Sequence, residues 1–158
     1  MSAPLLDQIK EKIKQASDLY YRLVLLVALS GSGKTSILRE TAQSLRVPLI
    51  NVNLGLSRRM LDLTTRQRAL NVAGLLQDLL EELKSEVVLL DNVEILFDIS
   101  LKQDPLKLLQ HISRNKTIVA GWNGEIKGSS LVYASPEHPE YRRYPVKELL
   151  IVQMAENI

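Results

Sequence analysis

The sequence contains no cysteine and only two histidines, His111 and His138. A chain without cysteine has no disulfide framework, no thiolate zinc site, no iron–sulfur cluster and no cysteine nucleophile. Two histidines are also too few for the usual histidine-based metal centres. The composition therefore argues against thiol chemistry and against a metal centre built on thiolates or imidazoles.

A charge excess of one sign and long hydrophobic runs are missing as well. Twenty Lys and Arg stand against eighteen Asp and Glu, a net charge of +2, which is too near balance to bind nucleic acid or an anionic membrane through bulk charge alone. The longest apolar stretch, residues 23–29, is far shorter than a bilayer span. Because the N-terminus reaches acidic residues before any hydrophobic run, we predict no signal peptide. We expect a cytoplasmic protein with no membrane partner.

The size and the hydrophobic content are those of one ordinary soluble domain. The chain has 158 residues and a mass of 17.8 kDa, which leaves little for a second domain. Hydrophobic residues make up 46% of the chain and charged residues 24%, with a mean hydropathy of −0.01. Such a chain has enough apolar side chains to bury a core.

Hydrophobic periodicity predicts alternating helices and strands. Apolar residues at helical spacing predict helices over residues 5–19, 34–45, 66–84 and 105–112. Continuous β-branched and aliphatic runs predict strands over residues 22–28, 49–53, 86–91, 117–122 and 130–134, and residues 149–154 are a candidate for a last strand. Residues 55–63 fit a loop or a short helix, and Thr65 and Asp104 are candidate helix caps. This alternation predicts an α/β fold with a mainly parallel, five-stranded sheet.

A phosphate-binding motif follows the first predicted strand and opens the next helix. The sequence Ala28-Leu-Ser-Gly-Ser-Gly-Lys-Thr35 matches the Walker A pattern, except that Ala28 stands where the first glycine is usual. Small residues let successive backbone N–H groups converge on phosphate oxygens, and the alternative is a Gly/Ser turn before a helix. Lys34 would reach the β- and γ-phosphates of ATP, and the Thr35 hydroxyl would bind Mg²⁺. We predict that the nucleotide-binding residues are Ser30, Gly31, Ser32, Gly33, Lys34, Thr35 and Ser36.

Acidic residues that could complete the site follow the third predicted strand. Asp91 ends the run Val87-Val-Leu-Leu-Asp91 and would hold Mg²⁺ through its water shell as a Walker B acid, although any strand can end in Asp. Many ATPases carry Glu at the next position to activate the attacking water; here it is Asn92, whose amide can position a water but cannot accept its proton. Glu94 could substitute, with a solvated loop carboxylate as the alternative, and Asp98 and Asp104 are weaker candidates. We therefore expect slow or partner-dependent hydrolysis.

Two further kinds of residue are needed near the γ-phosphate. Asn123 follows the fourth predicted strand, where it would act as a sensor that orients the water; the alternative is an Asn-Gly turn. An arginine would stabilise charge on the transferring phosphoryl group, and a neighbouring subunit often supplies it. Arg142 and Arg143 are the first candidates, although surface arginines packing on tyrosines would give the same pattern. The other candidates are Arg58, Arg59 and Arg114.

The densest basic stretch, residues 58–68, contains four arginines and one acid, Asp62. It could contact nucleic-acid phosphates, but it contains no aromatic residue for base stacking. A solvated helix start or a subunit interface is the stronger interpretation, so direct DNA contact is the weaker alternative and any effect on DNA is expected to be indirect. The segment His138-Pro-Glu-Tyr141 has no metal-ligand spacing and fits a structural turn or a partner surface.

Walker A, Walker B and a polar residue ending the fourth strand, in this order, resemble the AAA+ and wider additional-strand ATPases over residues 22–134. This resemblance implies a three-layer P-loop NTPase fold that binds ATP and Mg²⁺. The helical lid that usually follows such a core is missing, which leaves a second sensor arginine in doubt unless Arg142 or Arg143 serves. We accordingly divide one domain, residues 1–158, into an N-terminal helix (1–19), a nucleotide-binding core (20–135) and a C-terminal segment (136–158).

Four stretches resemble BrxF, the family of small P-loop proteins of bacteriophage-exclusion (BREX) defence systems. They cover residues 49–59, 89–98, 120–124 and 138–142. This resemblance extends over nearly the whole chain. It implies an ATPase subunit that works with a DNA methyltransferase, a phosphatase-like protein and other defence components to block phage replication.

The sequence as a whole predicts a single-domain ATPase that uses Mg-ATP and forms homo-oligomers, because neither a lid nor an obvious arginine in cis accompanies the site. Two alternatives stay open. A nucleotide-dependent binding module that switches assembly without turnover is favoured by Asn92. A small-molecule or nucleoside kinase would need an arginine-rich lid, and no lid pattern follows the helix over residues 105–112.

Overall fold

The computed structural model describes residues 2–154. Met1 and residues 155–158, which we included in the predicted N-terminal helix and C-terminal segment, lie outside the described residues. The α-helices are α1 (Ser2–Ala16), α2 (Lys34–Leu45), α3 (Val52–Met60), α4 (Thr65–Glu81) and α5 (Pro105–Ile112). Two 3₁₀ helices cover Val93–Phe97 and Ile99–Leu101. The strands are β1 (Leu23–Ala28), β2 (Leu49–Asn51), β3 (Val87–Asp91), β4 (Thr117–Lys127), β5 (Ser130–Tyr133), β6 (Arg142–Pro145) and β7 (Leu150–Gln153).

Five parallel strands form the centre of the fold, in the order β2-β3-β4-β1-β7. The central strand β1 is buried along its whole length because helices cover both faces of the sheet. Successive side chains of a strand point to opposite faces, so Val24 and Leu26 pack with α1 and α2, and Leu25 and Val27 pack with α3, α4 and α5. The predicted α/β class and the mainly parallel sheet are confirmed.

The fifth parallel strand is β7, and the predicted strand over residues 130–134 belongs elsewhere. β4 runs on to Lys127, beyond the predicted end at residue 122, and β5 folds back against it in antiparallel register, with Gly124 opposite Tyr133 and Lys127 opposite Ser130. Only two residues, starting with Gly128 at φ +60°, connect these strands. Such a link permits a hairpin, whereas a parallel neighbour needs a long crossover.

We call the hairpin and its neighbour, residues 124–133 and 142–145, the antiparallel extension. β6 pairs with β5 and completes it. The extension follows the parallel core in the chain, where related ATPases usually carry a helical lid. Within residues 2–154 no helix follows β4. β7 then returns to pair with β1, and α1 packs on both of these strands.

Helix caps account for the differences at the starts of α3 and α4, whereas α1 and α4 each end three residues before the predicted end, at Ala16 and Glu81. Residues 55–63 lie mainly in α3, because the Asn51 side chain accepts a hydrogen bond from the Leu54 N–H and starts a helix there, which also shortens β2. The predicted cap Thr65 is wrong by one residue: Thr64 caps α4 and forms a capping box with Gln67. Asp104 caps α5 as predicted. None of the helices within residues 2–154 combines the length and apolar character needed to cross a bilayer.

Candidate functional site

The loop between β1 and α2 has the shape that the phosphate motif requires. Gly31 and Gly33 have φ of +82° and +91°, a region that glycine adopts without steric cost and other residues rarely adopt. Gly33 is the N-cap of α2, and no side chain caps that helix. The N–H groups of its first turn are therefore free of side-chain acceptors and can bind an anion.

Lys34 is folded back over this loop. Its ammonium group donates hydrogen bonds to the carbonyl oxygens of Ala28 and Leu29, both at 3.2 Å, and the residue is 7% exposed. Burial lowers the pKa of Lys34, and the nearby carboxylates of Glu94 and Asp91 oppose this shift. Lys34 thus places a buried cation beside the phosphate loop.

Thr35 and Asp91 meet where α2 begins and β3 ends. The Thr35 hydroxyl donates to Asp91 Oδ2 at 2.6 Å, and Asp91 Oδ1 accepts from the Asn92 N–H at 2.9 Å. A hydroxyl and a carboxylate in direct contact are hard oxygen ligands of the kind Mg²⁺ takes, together with phosphate oxygens and water. The donor set therefore fits a Mg²⁺ ion bound with a nucleotide.

Glu94 and Asn123 form a second polar pair at the same edge of the sheet. Glu94 lies in the first turn of the 3₁₀ helix after β3, and its carboxylate accepts a hydrogen bond from the Asn123 amide. Asn123 lies opposite Ala28 in the register of β4 and β1. The Asn-Gly turn that we considered for Asn123 is wrong, because β4 continues through residues 123 and 124.

Asn92 occupies the left-handed region at φ +55°, which asparagine tolerates better than most residues. Its carbonyl oxygen accepts a hydrogen bond from the Asn53 N–H at 3.1 Å. This contact fastens the start of α3 to the residue that follows Asp91. Sequence reasoning did not identify Asn53, since backbone contacts between distant loops leave no pattern in the sequence.

These residues surround one cavity of about 370 Å³, which we call the phosphate cavity. All of the predicted loop residues except Ser32 line it, and Ser32 lines a smaller neighbouring cavity. The predicted residues that the structure brings together here are Ser30, Gly31, Gly33, Lys34, Thr35, Ser36, Asp91, Asn92, Glu94 and Asn123.

Gly121 of β4, which sequence reasoning missed, lies close to the Leu38 side chain and near Asp91. A Cβ atom on Gly121 of β4 would lie 3.2 Å from the Leu38 side chain and 3.8 Å from Asp91 Oδ1. Glycine inside a strand often marks such a close approach. That signal was present in the sequence, within the motif that contains Asn123.

The candidate arginines lie away from the phosphate cavity. Arg142 donates to the Gln103 carbonyl oxygen at 2.8 Å, and Arg143 donates to the Ser130 hydroxyl at 3.0 Å, both from β6. Arg59 forms an ion pair with Glu82, and the Arg114 guanidinium lies over the Tyr20 ring. Among residues 2–154 no arginine lines the phosphate cavity, so the structure does not bring Arg142 or Arg143 together with Lys34, Thr35 and Asp91.

The weaker acidic candidates have structural contacts. Asp98 caps the second 3₁₀ helix by accepting from Ser100, and Asp104 caps α5 and accepts from the Tyr144 hydroxyl at 2.8 Å. His138 Nδ1 accepts from the Glu140 N–H at 3.0 Å, which agrees with the predicted structural turn.

A comparison with protein families agrees with this fold. Residues 24–119, more than half of the chain, match the family described as the ATPase family associated with various cellular activities (AAA). The structure of C. elegans PCH-2 is similar, with 18% sequence identity and a TM-score of 0.49, over 98% of this chain and 42% of that chain. The chain thus spans less than half the length of that structure. No curated protein matches the sequence.

Proposed function

The chain belongs to the AAA family of ATPases, and from this premise we propose that it binds Mg-ATP in the phosphate cavity and hydrolyses it. The observation that carries the proposal is the convergence of Lys34, Thr35 and Asp91, with the Thr35 hydroxyl 2.6 Å from the Asp91 carboxylate. Two distant parts of the sequence, the phosphate motif and the end of β3, supply a cation, a hydroxyl and a carboxylate at one edge of the sheet, which is the set that phosphoryl transfer requires.

Each residue has a defined task in this proposal. The loop N–H groups and Lys34 bind the phosphates, and Thr35 and Asp91 hold Mg²⁺, which neutralises charge on the β- and γ-phosphates. Glu94 is the candidate that can accept a proton from water, and its carboxylate lines the cavity. Asn123, which donates to Glu94, and Asn92 orient this carboxylate and the attacking water.

Oligomerisation is part of the proposal, because the described lining of the phosphate cavity contains one cation, Lys34, and no arginine. Charge that develops on the γ-phosphate needs more than one positive group. We therefore propose that an arginine reaches the site from a neighbouring subunit. Arg142 and Arg143 stay the first candidates and Arg58, which is exposed, is another.

The first experiment measures ATP hydrolysis and solution mass together, across protein concentrations from nanomolar to micromolar. We expect turnover per subunit to rise as the protein assembles, and Lys34→Ala to reduce it by about a thousandfold, since the buried cation contacts the transferring phosphoryl group. Lys107→Ala, outside the phosphate cavity, is the matched control. Equal turnover per subunit at all concentrations would contradict the shared site.

A second candidate function is a nucleotide-dependent assembly module with little hydrolysis. Asn92 favours it, because the position after Asp91 carries an amide that cannot accept a proton, and Glu94 is already engaged by Asn123. In that case ATP binds with no release of phosphate, even when partners and DNA are present. Absence of phosphate transfer to a panel of nucleosides would separate both functions from that of a kinase.

The biological setting is proposed from the resemblance to BrxF over residues 49–59, 89–98, 120–124 and 138–142. We propose that the protein acts in a BREX-type phage defence system, with other defence proteins as partners and with indirect effects on DNA. Loss of phage resistance with Lys34→Ala, at unchanged protein level, supports this role. Full resistance with that variant would show that nucleotide binding by this chain is not needed for defence.

A further inference from the structure

An exposed surface of tyrosine and arginine side chains lies at the amino ends of β1 and β4. We call it the tyrosine–arginine patch, and it consists of Tyr20, Tyr21, Arg22 and Arg114. The Arg22 N–H donates to the Ser113 carbonyl oxygen at 2.9 Å, which brings the segment after α5 against the start of β1. The phosphate cavity lies at the other end of β1, a strand of six residues that is about 20 Å long. A ligand on the patch therefore leaves the phosphate cavity free.

The two tyrosines of the patch are exposed to a degree that core packing does not explain. Tyr20 is 64% exposed and Tyr21 40%, and Leu19 before them is 45% exposed. The two rings contact each other edge to face, with centroids 4.8 Å apart. By contrast, Trp122 and Tyr133 of the other aromatic cluster are buried. Contiguous exposed apolar surface, unlike scattered single side chains, points to a binding site.

Two guanidinium groups give the patch a positive charge. The Arg114 guanidinium lies 4.5 Å from the centroid of the Tyr20 ring, and the Arg22 guanidinium donates to the Arg114 carbonyl oxygen at 3.1 Å. Neither arginine forms an ion pair within the described part of the chain. The two segments that meet here, residues 17–22 and 113–116, contain three cations and one acid. The local charge is therefore positive, although the whole chain is close to balance.

We propose that the tyrosine–arginine patch binds single-stranded nucleic acid, whose bases stack on the two tyrosines while Arg22 and Arg114 contact the phosphates. Aromatic side chains beside cations hold single strands because every base has a face to stack and every nucleotide carries a negative charge. Duplex DNA keeps its bases stacked inside the helix and offers the tyrosines no free base. The inference goes beyond the proposed function and does not depend on it, and it leaves the proposed effects on duplex DNA indirect.

The test measures the fluorescence anisotropy of fluorescein-labelled oligothymidylate and oligouridylate, each of about twelve nucleotides, with the whole chain in about 50 mM sodium chloride. We expect saturable binding that weakens about tenfold in Tyr20→Ala and about fivefold in Arg114→Gln. The matched controls, Tyr141→Ala and Arg39→Gln, change a half-buried tyrosine and an exposed arginine outside the patch. Both should bind as the wild type does.

Two further measurements separate stacking from attraction between charges alone. Tyr20→Phe keeps an aromatic face, so its affinity should stay within about twofold of the wild type. The logarithm of the binding constant should fall with the logarithm of the salt concentration at a slope of about −1.4, because two phosphates of a single strand are contacted. Thermal unfolding of each variant shows that the fold is intact.

Four results overturn the inference. The first two are no saturable binding of either oligonucleotide up to about 100 μM protein, and equal affinity in Tyr20→Ala and the wild type. The third is binding of a duplex of the same length as tightly as the single strand, which would mean charge attraction without stacking. The fourth is weaker self-association in Tyr20→Ala with no oligonucleotide binding, which would make the patch a contact between copies of this chain.

A fluorescent ATP analogue titrated in parallel keeps the two proposals apart. Oligonucleotide binding without ATP binding supports the inference and contradicts the proposed function, and the reverse result leaves the proposed function standing without the inference. A preference for oligothymidylate or for oligouridylate identifies DNA or RNA as the ligand. Both preferences support the patch, and they differ only in which single strand occupies it.

Discussion

The parallel core and the antiparallel extension meet in a single strand, β4, and differ in what buries them. From Thr117 to Trp122 the strand lies between β1 and β3 under helices on both faces, and all of these residues are buried. From Gly124 to Lys127 it pairs with β5 in antiparallel register, and its burial becomes partial. Asn123 lies where β4 passes from the parallel core into the antiparallel extension, so it belongs to both regions.

Different kinds of side-chain packing also stabilise the two regions. The core uses aliphatic side chains packed between sheet and helices, whereas the extension depends on an aromatic cluster of Phe97, Trp122, Tyr133 and Tyr144. Phe97 ends the 3₁₀ helix that contains Glu94. The extension therefore contacts the candidate site through the 3₁₀ helix that contains Glu94, while the core holds the phosphate loop directly.

The largest expected effect is on ATP hydrolysis at the phosphate cavity, which lies at the edge of the parallel core. Asp91→Asn should lower the rate of ATP hydrolysis by about a hundredfold or more, because an amide is a poor ligand for Mg²⁺ and the charge on the γ-phosphate is then less well stabilised. The near-ultraviolet circular dichroism of the aromatic cluster should not change, since Asp91 does not touch it.

The control for this variant is nucleotide binding without Mg²⁺, measured with a fluorescent ATP analogue. It should be retained, because the loop N–H groups and Lys34 do not depend on the metal. A loss of metal-free binding would mean that Asp91 acts by shaping the loop and not by holding Mg²⁺.

The next largest expected effect is on the stability of the antiparallel extension. A Cβ atom on Gly124 would lie 1.9 Å from the Val132 carbonyl oxygen, which itself accepts a hydrogen bond from the Trp122 indole. Gly124→Ala should therefore lower the free energy of unfolding by about 2–3 kcal/mol through overpacking of the hairpin. Thermal or denaturant unfolding measures this change.

Gly74, an exposed residue of helix α4 on the parallel core, provides the control. A Cβ atom on Gly74, inside α4, would have no neighbouring atom within 4 Å, so Gly74→Ala should raise stability by about 0.5–1 kcal/mol. ATP binding by Gly124→Ala is the sharper measurement, because the phosphate loop belongs to the core. If ATP affinity falls in proportion to stability, the two regions unfold as one unit and the distinction between them is wrong.

Much of the core could be predicted from the sequence, because its signals are local. The runs of aliphatic residues around β1, β3 and β4, and the glycines of the phosphate loop, follow directly from backbone sterics and burial. The path of the chain after Asn123 could not be predicted in the same way. Whether residues 130–134 pair with β4 or join the parallel sheet depends on a two-residue turn and on long-range aromatic packing.

The site shows the same division. Lys34, Thr35 and Asp91 follow from a motif and a strand end, and the structure brings them together. The contact of Glu94 with Asn123 required the 3₁₀ helix after β3, which the sequence does not signal. The cavity that Tyr133 and Asn123 line beside the phosphate cavity was not foreseen, because it depends on the antiparallel register of β4 and β5, which places Tyr133 opposite Gly124, the residue after Asn123.

The smallest effect tests how firmly the extension is joined to the core. The Tyr144 hydroxyl of β6 donates to Asp104, the cap of α5, at 2.8 Å. Burial and this carboxylate raise the pKa of Tyr144. Tyr144→Phe keeps the aromatic contact with Trp122 and removes only the hydrogen bond, so it should lower the free energy of unfolding by about 1–1.5 kcal/mol.

The control is Tyr141→Phe, in the segment before β6, which should change the free energy of unfolding by less than about 0.5 kcal/mol. Equal stability of the two variants would mean that the Tyr144–Asp104 hydrogen bond adds no net stability, and that the aromatic cluster and the hydrogen bond from Arg142 to the Gln103 carbonyl oxygen join the extension to the core.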